Sequence, residues 1–151
     1  MIADPSEPID AAERVRASFA RQAMMATMGV ELASVEPGVV VLELPFSSAL
    51  AQQHGFLHAG AISAVADSAC GFAALSLMSA DAAVMSVEFK LNLLAPAAGE
   101  RFRATGRVTR AGRTLTVCTA EVEAIAGTER RLVALMQGTM MAVRGREGVR
   151  D

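Results

Sequence analysis

The residues best equipped for chemistry lie together between positions 52 and 67. Gln52-Gln53-His54-Gly55-Phe56-Leu57-His58-Ala59-Gly60 holds both histidines of the chain. From Ala59 to Met78 the one carboxylate is Asp67, set among Ala64, Val65, Ala66, Ala69 and Phe72. Ala, Leu, Met and Ile favour helix, so this run predicts one helix about 30 Å long. It is apolar all round, and such a helix is buried. A buried aspartate in mid-helix is costly unless a partner, a proton or a catalytic task compensates it. The first amides of the helix lack intrahelical acceptors and sit at its positive dipole end. An amide placed there can polarise a carbonyl and stabilise the oxyanion that forms. A carboxylate can act as general base on water or attack directly. Ala59 N–H, with Gly60 beside it, is the candidate donor, and Asp67 the candidate base or nucleophile. The alternative for Asp67 is a structural carboxylate hydrogen-bonded to a serine or to backbone. Ser68 and Cys70 have neither a Gly-x-Ser-x-Gly elbow nor a histidine at helical spacing, and read as packing residues.

The flanking segments must position these groups. Residues 1–9 read as a loose tail. From Ala11 to Ala26, Val15, Phe19 and Ala23 recur every four positions, which predicts a surface amphipathic helix ended by Gly29. Val30–Glu36 and Val39–Leu44 read as strands joined by a hairpin at Pro37-Gly38. Ala83–Leu94 alternates, with Val87, Phe89, Leu91 and Leu93 on one face and Ser86, Glu88, Lys90 and Asn92 on the other. Arg101–Arg110, Thr114–Ile125 and Arg131–Val143 follow, divided by short Gly-containing turns. Those turns predict that the strands after the long helix form an antiparallel meander. Residues 144–151 are a polar C-terminal tail. Such a chain has one good solution, an α+β domain over residues 10–143. Its antiparallel sheet of five or six strands curls around one long central helix, with the N-terminal helix added.

Composition narrows the function. The 151 residues are 52% hydrophobic and 20% charged, which marks a globular chain with a real core. A net charge of −2 gives no electrostatic reason to expect nucleic acid, and six Phe without Tyr or Trp provide few base-stacking platforms. Cys70 and Cys118 supply no metal spacing and no disulfide framework, and fit a reducing, cytoplasmic compartment. Residues 59–78 are long enough to span a bilayer, but Asp67 near the middle and the lack of flanking Lys or Arg argue against a membrane helix. The acidic, proline-containing N-terminus does not read as a signal peptide.

Gln52-x-x-Gly55-x-x-His58-Ala59-Gly60, then Asp67, then Ser86-Val87-Glu88-Phe89-Lys90-Leu91-Asn92 resembles the PaaI-like branch of the hotdog-fold acyl-CoA thioesterases. The family usually shows Asn-x-x-Gly-x-x-His-Gly-Gly followed by an acidic residue on the helix. Gln52 stands where Asn is usual and Ala59 where the first Gly is usual. The family uses the backbone N–H at that position, which Ala retains. The resemblance implies hydrolysis of an acyl-CoA thioester, with coenzyme A entering as part of the substrate and no metal or other cofactor. It implies catalytic parts for Asp67, the Ala59 amide and Gln52, the last orienting water or substrate. His58, Gly60, His54 and Ser86 would contact substrate, and Arg110 and Arg113 could hold coenzyme A phosphates. His58 and His54 could instead order their turn. Eight helical residues span about 12 Å, so Asp67 cannot reach a carbonyl bound at its own Ala59 amide. A second subunit with an antiparallel helix would supply the missing group. This implies a dimer with two shared sites, which could pair into a tetramer. A hydratase or dehydratase using His58 and Asp67, and a non-catalytic acyl-CoA binder, are the alternative readings.

Overall fold

A computed structural model describes residues 10–151; the expected tail over 1–9 lies outside the described residues. The N-terminal helix is two helices, α1 (Ala11–Ala20) and α2 (Ala23–Met28). The break falls at Gln22, whose extended backbone (φ −82°, ψ 93°) starts α2. No Gly or Pro announces it, and the Gln22 side chain faces Ser68 of the central helix instead. Gly29, at φ 76°, ends α2 in the left-handed conformation that favours glycine.

Strands β1 (Glu31–Glu36) and β2 (Val39–Pro45) form the expected hairpin. A 3₁₀ turn at Ser48–Leu50 leads into the central helix α3 (Ala59–Leu75). Strands β3 (Ala83–Leu93), β4 (Arg101–Arg110), β5 (Leu115–Ala126) and β6 (Glu129–Val143) complete one antiparallel sheet, in the order β1-β2-β4-β5-β6-β3. The expected meander holds for β4–β5–β6. It fails for β3, which pairs with β6 at the sheet edge rather than with β4. The connection after β3 runs through Pro96 toward the mouth of α3, where Leu57 N–H donates to Ala97 O at 3.0 Å. It therefore skips β6 and β5 to reach β4. The sheet curls around α3 in the hotdog arrangement, with Val40, Leu42, Phe102, Ala104 and Val122 buried beneath Ile62, Val65, Ala66 and Ala69. Burying apolar surface is the main stabilising term here, at about 25 cal/mol per Å².

Helix and sheet backbones come close at Gly106. A Cβ on Gly106 of β4 would lie 2.3 Å from the Ala69 carbonyl and 2.7 Å from the Cys70 nitrogen. At its far end α3 stops at Leu75, earlier than the apolar pattern to Met78 predicts. Ser76 Oγ donates to Ala73 O at 2.7 Å and accepts from Gly38 N–H at 2.8 Å. Buried Arg14 of α1 donates to the carbonyls of Leu75 (2.5 Å), Met78 (3.0 Å) and Ser79 (2.7 Å). These long-range bonds satisfy the terminal carbonyls and replace further helical turns. Among the described residues no helix is long and apolar enough to cross a membrane.

Candidate active site

The mouth of α3 is built by its cap. His58 has extended backbone (φ −65°, ψ 141°), and its Nδ1 accepts from Gly60 N–H at 2.7 Å. The ring is therefore unprotonated at Nδ1. Ala61 and Ile62 both donate to His58 O, at 3.0 and 3.2 Å. One amide of the first turn is left over: among the described residues nothing accepts from Ala59 N–H. The expected pair of donors thus narrows to Ala59, because His58 has claimed Gly60. Gln52 sits beside this point in a tight loop. Its backbone N–H donates to Phe56 O at 2.9 Å, its side-chain Oε1 accepts from His54 N–H, and Gly55 turns at φ 86°. Gln52, His58 and Ala59 line one cavity of about 660 Å³, with Leu93 and Leu94 from the end of β3. His54 does not line it; its exposed ring lies 3.4 Å from the Gln53 amide.

Asp67 lies in a different cavity, of about 280 Å³. Ser86 Oγ donates to Asp67 Oδ1 at 2.7 Å. Simple alternation placed Ser86 on the face of Glu88 and Lys90, and the structure corrects this. Ser86 pairs with Met140 and Glu88 with the adjacent Thr139, so Val87 is an extra residue in a β-bulge. The bulge reverses the phase of the strand and turns Ser86 toward the helix. Glu88 and Lys90 line a groove on the outer face of the sheet instead. Burial holds the Asp67 carboxyl above the ordinary aspartate value, and the Ser86 hydrogen bond offsets part of the rise.

Neighbouring nucleophiles are poorly placed. Burial pushes the Cys70 thiol far up and that of Cys118 up to about 11, so both are inert at neutral pH. The Ser68 hydroxyl faces Gln22 Oε1 at 3.4 Å rather than a base. Among the described residues no group of three or more His, Cys, Asp or Glu could hold a metal ion.

The two groups thus stand apart in the chain. Ala59 and Asp67 are eight residues apart on one helix, about 12 Å, and open into separate cavities. Arg110 and Arg113 belong to neither. Arg101 starts β4 near the α3 mouth, so Arg110 at the other end is about 30 Å away along the strand. Sequence reasoning missed Ser18, Arg21, Gln22, Arg150 and Asp151, all of which line the Asp67 cavity. The α1–α2 break and the return of the C-terminal segment bring them there, and neither leaves a local signal.

The sequence model of the thioesterase superfamily matches residues 54–130, about half of the chain. A thioesterase family protein from Silicibacter pomeroyi shares 54% identity, with 89% of this chain and 99% of that chain covered and a TM-score of 0.88. The E. coli PaaI protein from the phenylacetic acid degradation operon matches at TM-score 0.81 and 23% identity, covering 90% and 95% of the two chains, and shows the shared fold. A 1,4-dihydroxy-2-naphthoyl-CoA hydrolase of Listeria monocytogenes is 30% identical over 91 residues, 60% of this chain and 74% of that protein. A Saccharolobus solfataricus protein that carries an esterase name is 33% identical over 90 residues, and the match spans 64% of its length.

Proposed function

The chain belongs to the thioesterase superfamily, a family of thioester hydrolases, and from that premise we propose that it hydrolyses the thioester of an acyl-coenzyme A. The observation that carries this reading is the uncommitted Ala59 N–H at the positive end of the helix that also holds Asp67. The amide polarises the thioester carbonyl and stabilises the oxyanion. Asp67, steadied by Ser86, activates water or attacks the carbonyl itself. Its raised pKa strengthens it as a base. The Gln52 side chain orients water or substrate beside the Ala59 amide. The Listeria relative acts on an aromatic acyl-CoA by its name, and short, medium-chain and aromatic acyl groups all fit the reading. The hydratase alternative loses ground because His58 already spends Nδ1 on Gly60.

Each complete site joins Ala59 of one subunit to Asp67 of another. The 12 Å along one helix motivates this, and the open edge of the sheet supports it. Strand β3 is an edge strand carrying exposed Met85, Val87, Phe89 and Leu93. An exposed apolar edge of this kind is an aggregation hazard unless another strand covers it. A two-fold partner would cover it with its own β3 and bring the helices antiparallel. Arg110 and Arg113, far from their own α3 mouth, could then serve coenzyme A phosphates only in the neighbouring site. An acyl-CoA substrate and two buried free cysteines fit a reducing, cytoplasmic compartment.

Incubation with an acyl-CoA panel and a free-thiol reagent tests the activity. Thiol release supports hydrolysis; affinity without release would make the chain a binder. Mixing and re-annealing two inactive dimers, Asp67→Asn and Ala59→Pro, tests the shared site. Each heterodimer then holds one intact site, so about a quarter of wild-type sites should return at equal mixing. No recovery in proven heterodimers would place both groups in one chain.

A further inference from the structure

The cavity around Asp67 has a back wall that the proposed reaction does not use. Two of its lining residues, Arg150 and Asp151, come from the segment after β6. That segment leaves the sheet where Arg144 donates to Ser79 Oγ at 3.1 Å. Glycines at 145 (φ 63°) and 148 (φ 78°) turn it back. It returns at Asp151, whose carboxylate bridges two elements. Oδ1 accepts from the Ser18 hydroxyl of α1 and Oδ2 from the Val84 N–H of β3, both at 2.6 Å. Ser18 is buried. Val84 is two residues before Ser86, which holds Asp67. Beyond this bridge lies a second space of about 550 Å³, between residues 80–83 and the returning segment. Arg150 and Asp151 line both spaces and stand between them.

We infer that residues 145–151 wall off the inner end of the acyl cavity, and that Asp151 is a specificity-determining residue that fixes the length of acyl group accepted. This rests on the reading of the Asp67 cavity as the acyl site. The space of about 280 Å³ stands at the lower edge of the ~300–1,000 Å³ of small-molecule sites, which suits a short acyl group. A longer alkyl chain meets the carboxylate of Asp151 and the guanidinium of Arg150. Covering those charges with methylenes removes water and returns no hydrogen bond. Releasing the Asp151 bridge joins the two spaces and gives a longer chain somewhere to go.

Calorimetric binding of acyl-CoA thioether analogues of rising chain length tests this without any hydrolysis. In the wild-type protein affinity climbs with each methylene, by about fourfold where the methylene is buried, and stops climbing at a short chain. In Asp151→Ala, and in a chain lacking residues 145–151, the cut-off moves to longer chains, and these gain tenfold or more relative to short ones. Asp151→Asn keeps the wild-type cut-off, because its carbonyl accepts from Val84 N–H while its amide donates to Ser18 Oγ. An unchanged length profile in folded Asp151→Ala would overturn the inference, as would a wild-type protein that binds no analogue. Wild-type binding with the short cut-off but no thiol release from true thioesters would sink the hydrolytic reading and leave the wall standing.

Discussion

The two ends of α3 are finished in opposite ways. At the C-terminal end side chains reach the carbonyls, those of Leu75, Met78 and Ser79 through Arg14 and that of Ala73 through Ser76. At the N-terminal end His58 satisfies Gly60 and stops, leaving the Ala59 amide bare. A helix end normally loses stability when a group goes unpaired. The same helix therefore has one terminus whose carbonyls are met by side chains and another whose first amide is left unpaired. The atom left over is the one a carbonyl oxygen would need.

The largest expected effect comes from removing that atom. Ala59→Pro deletes the N–H at the first helical position, where proline is well tolerated and where the extended backbone of His58 already suits a following proline. The protein should keep its Tm and lose about 2.7–4 kcal/mol of transition-state stabilisation, as at other oxyanion donors. Ala59→Gly, which keeps the N–H, should keep the activity. A fully active proline variant, measured by thiol release, would mean the bare amide has no part in turnover.

Asp67→Asn should lower kcat about 100-fold or more, and it should also stabilise the protein. The folded pKa of Asp67 is raised, so the folded state holds its proton more tightly than the unfolded chain. Stability is then lost as pH rises from the ordinary aspartate value through the raised one. Asn carries no charge and keeps an oxygen for Ser86. The Tm difference between Asn and Asp should be positive at neutral pH and shrink in acid below the ordinary value. A lower Tm at neutral pH would contradict the burial penalty.

At the other end, Arg14→Met should cost about 3 kcal/mol of stability, since it leaves the Leu75, Met78 and Ser79 carbonyls without their charged donor. Chemical denaturation measures this, and kcat of the folded fraction should hold. Loss of kcat without loss of stability would reverse the roles assigned to the two ends. The smallest effect is expected from Ser86→Ala. Its hydroxyl favours ionised Asp67, so the acid limb of the kcat/KM profile should move to higher pH. An unmoved limb would detach that ionisation from Asp67.

The arrangement of the helix mouth was legible because it is local. A cap, a first turn and an aspartate eight residues on are all properties of one continuous stretch, and a sheet curled around one helix followed from element order and period, with the hotdog fold implied by the resemblance. What escaped notice depends on distant partners. The pairing of β3 with β6 joins strands separated by two others in sequence. The end of α3 was overrun because Arg14 lies 61 residues from Leu75. The phase of Ser86 turned on one extra residue, which alternating apolar character in Val87 and Phe89 conceals. The Asp151 bridge to Ser18 spans 133 residues and has no motif at all.

Gly106 carries a consequence for clearances. Ordinary contact for a Cβ begins near 3.4 Å, and the space against the Ala69 carbonyl is 2.3 Å. Any side chain at that position acts as a wedge that lifts α3 off β4. Asp67 rides on the same turn as Ala69, while its partner Ser86 is anchored on β3 at the sheet's far edge. A hydrogen bond of 2.7 Å does not survive a displacement of that size. A glycine on the sheet, with no side chain to offer, is thus a tolerance-setting spacer for the Asp67 carboxylate.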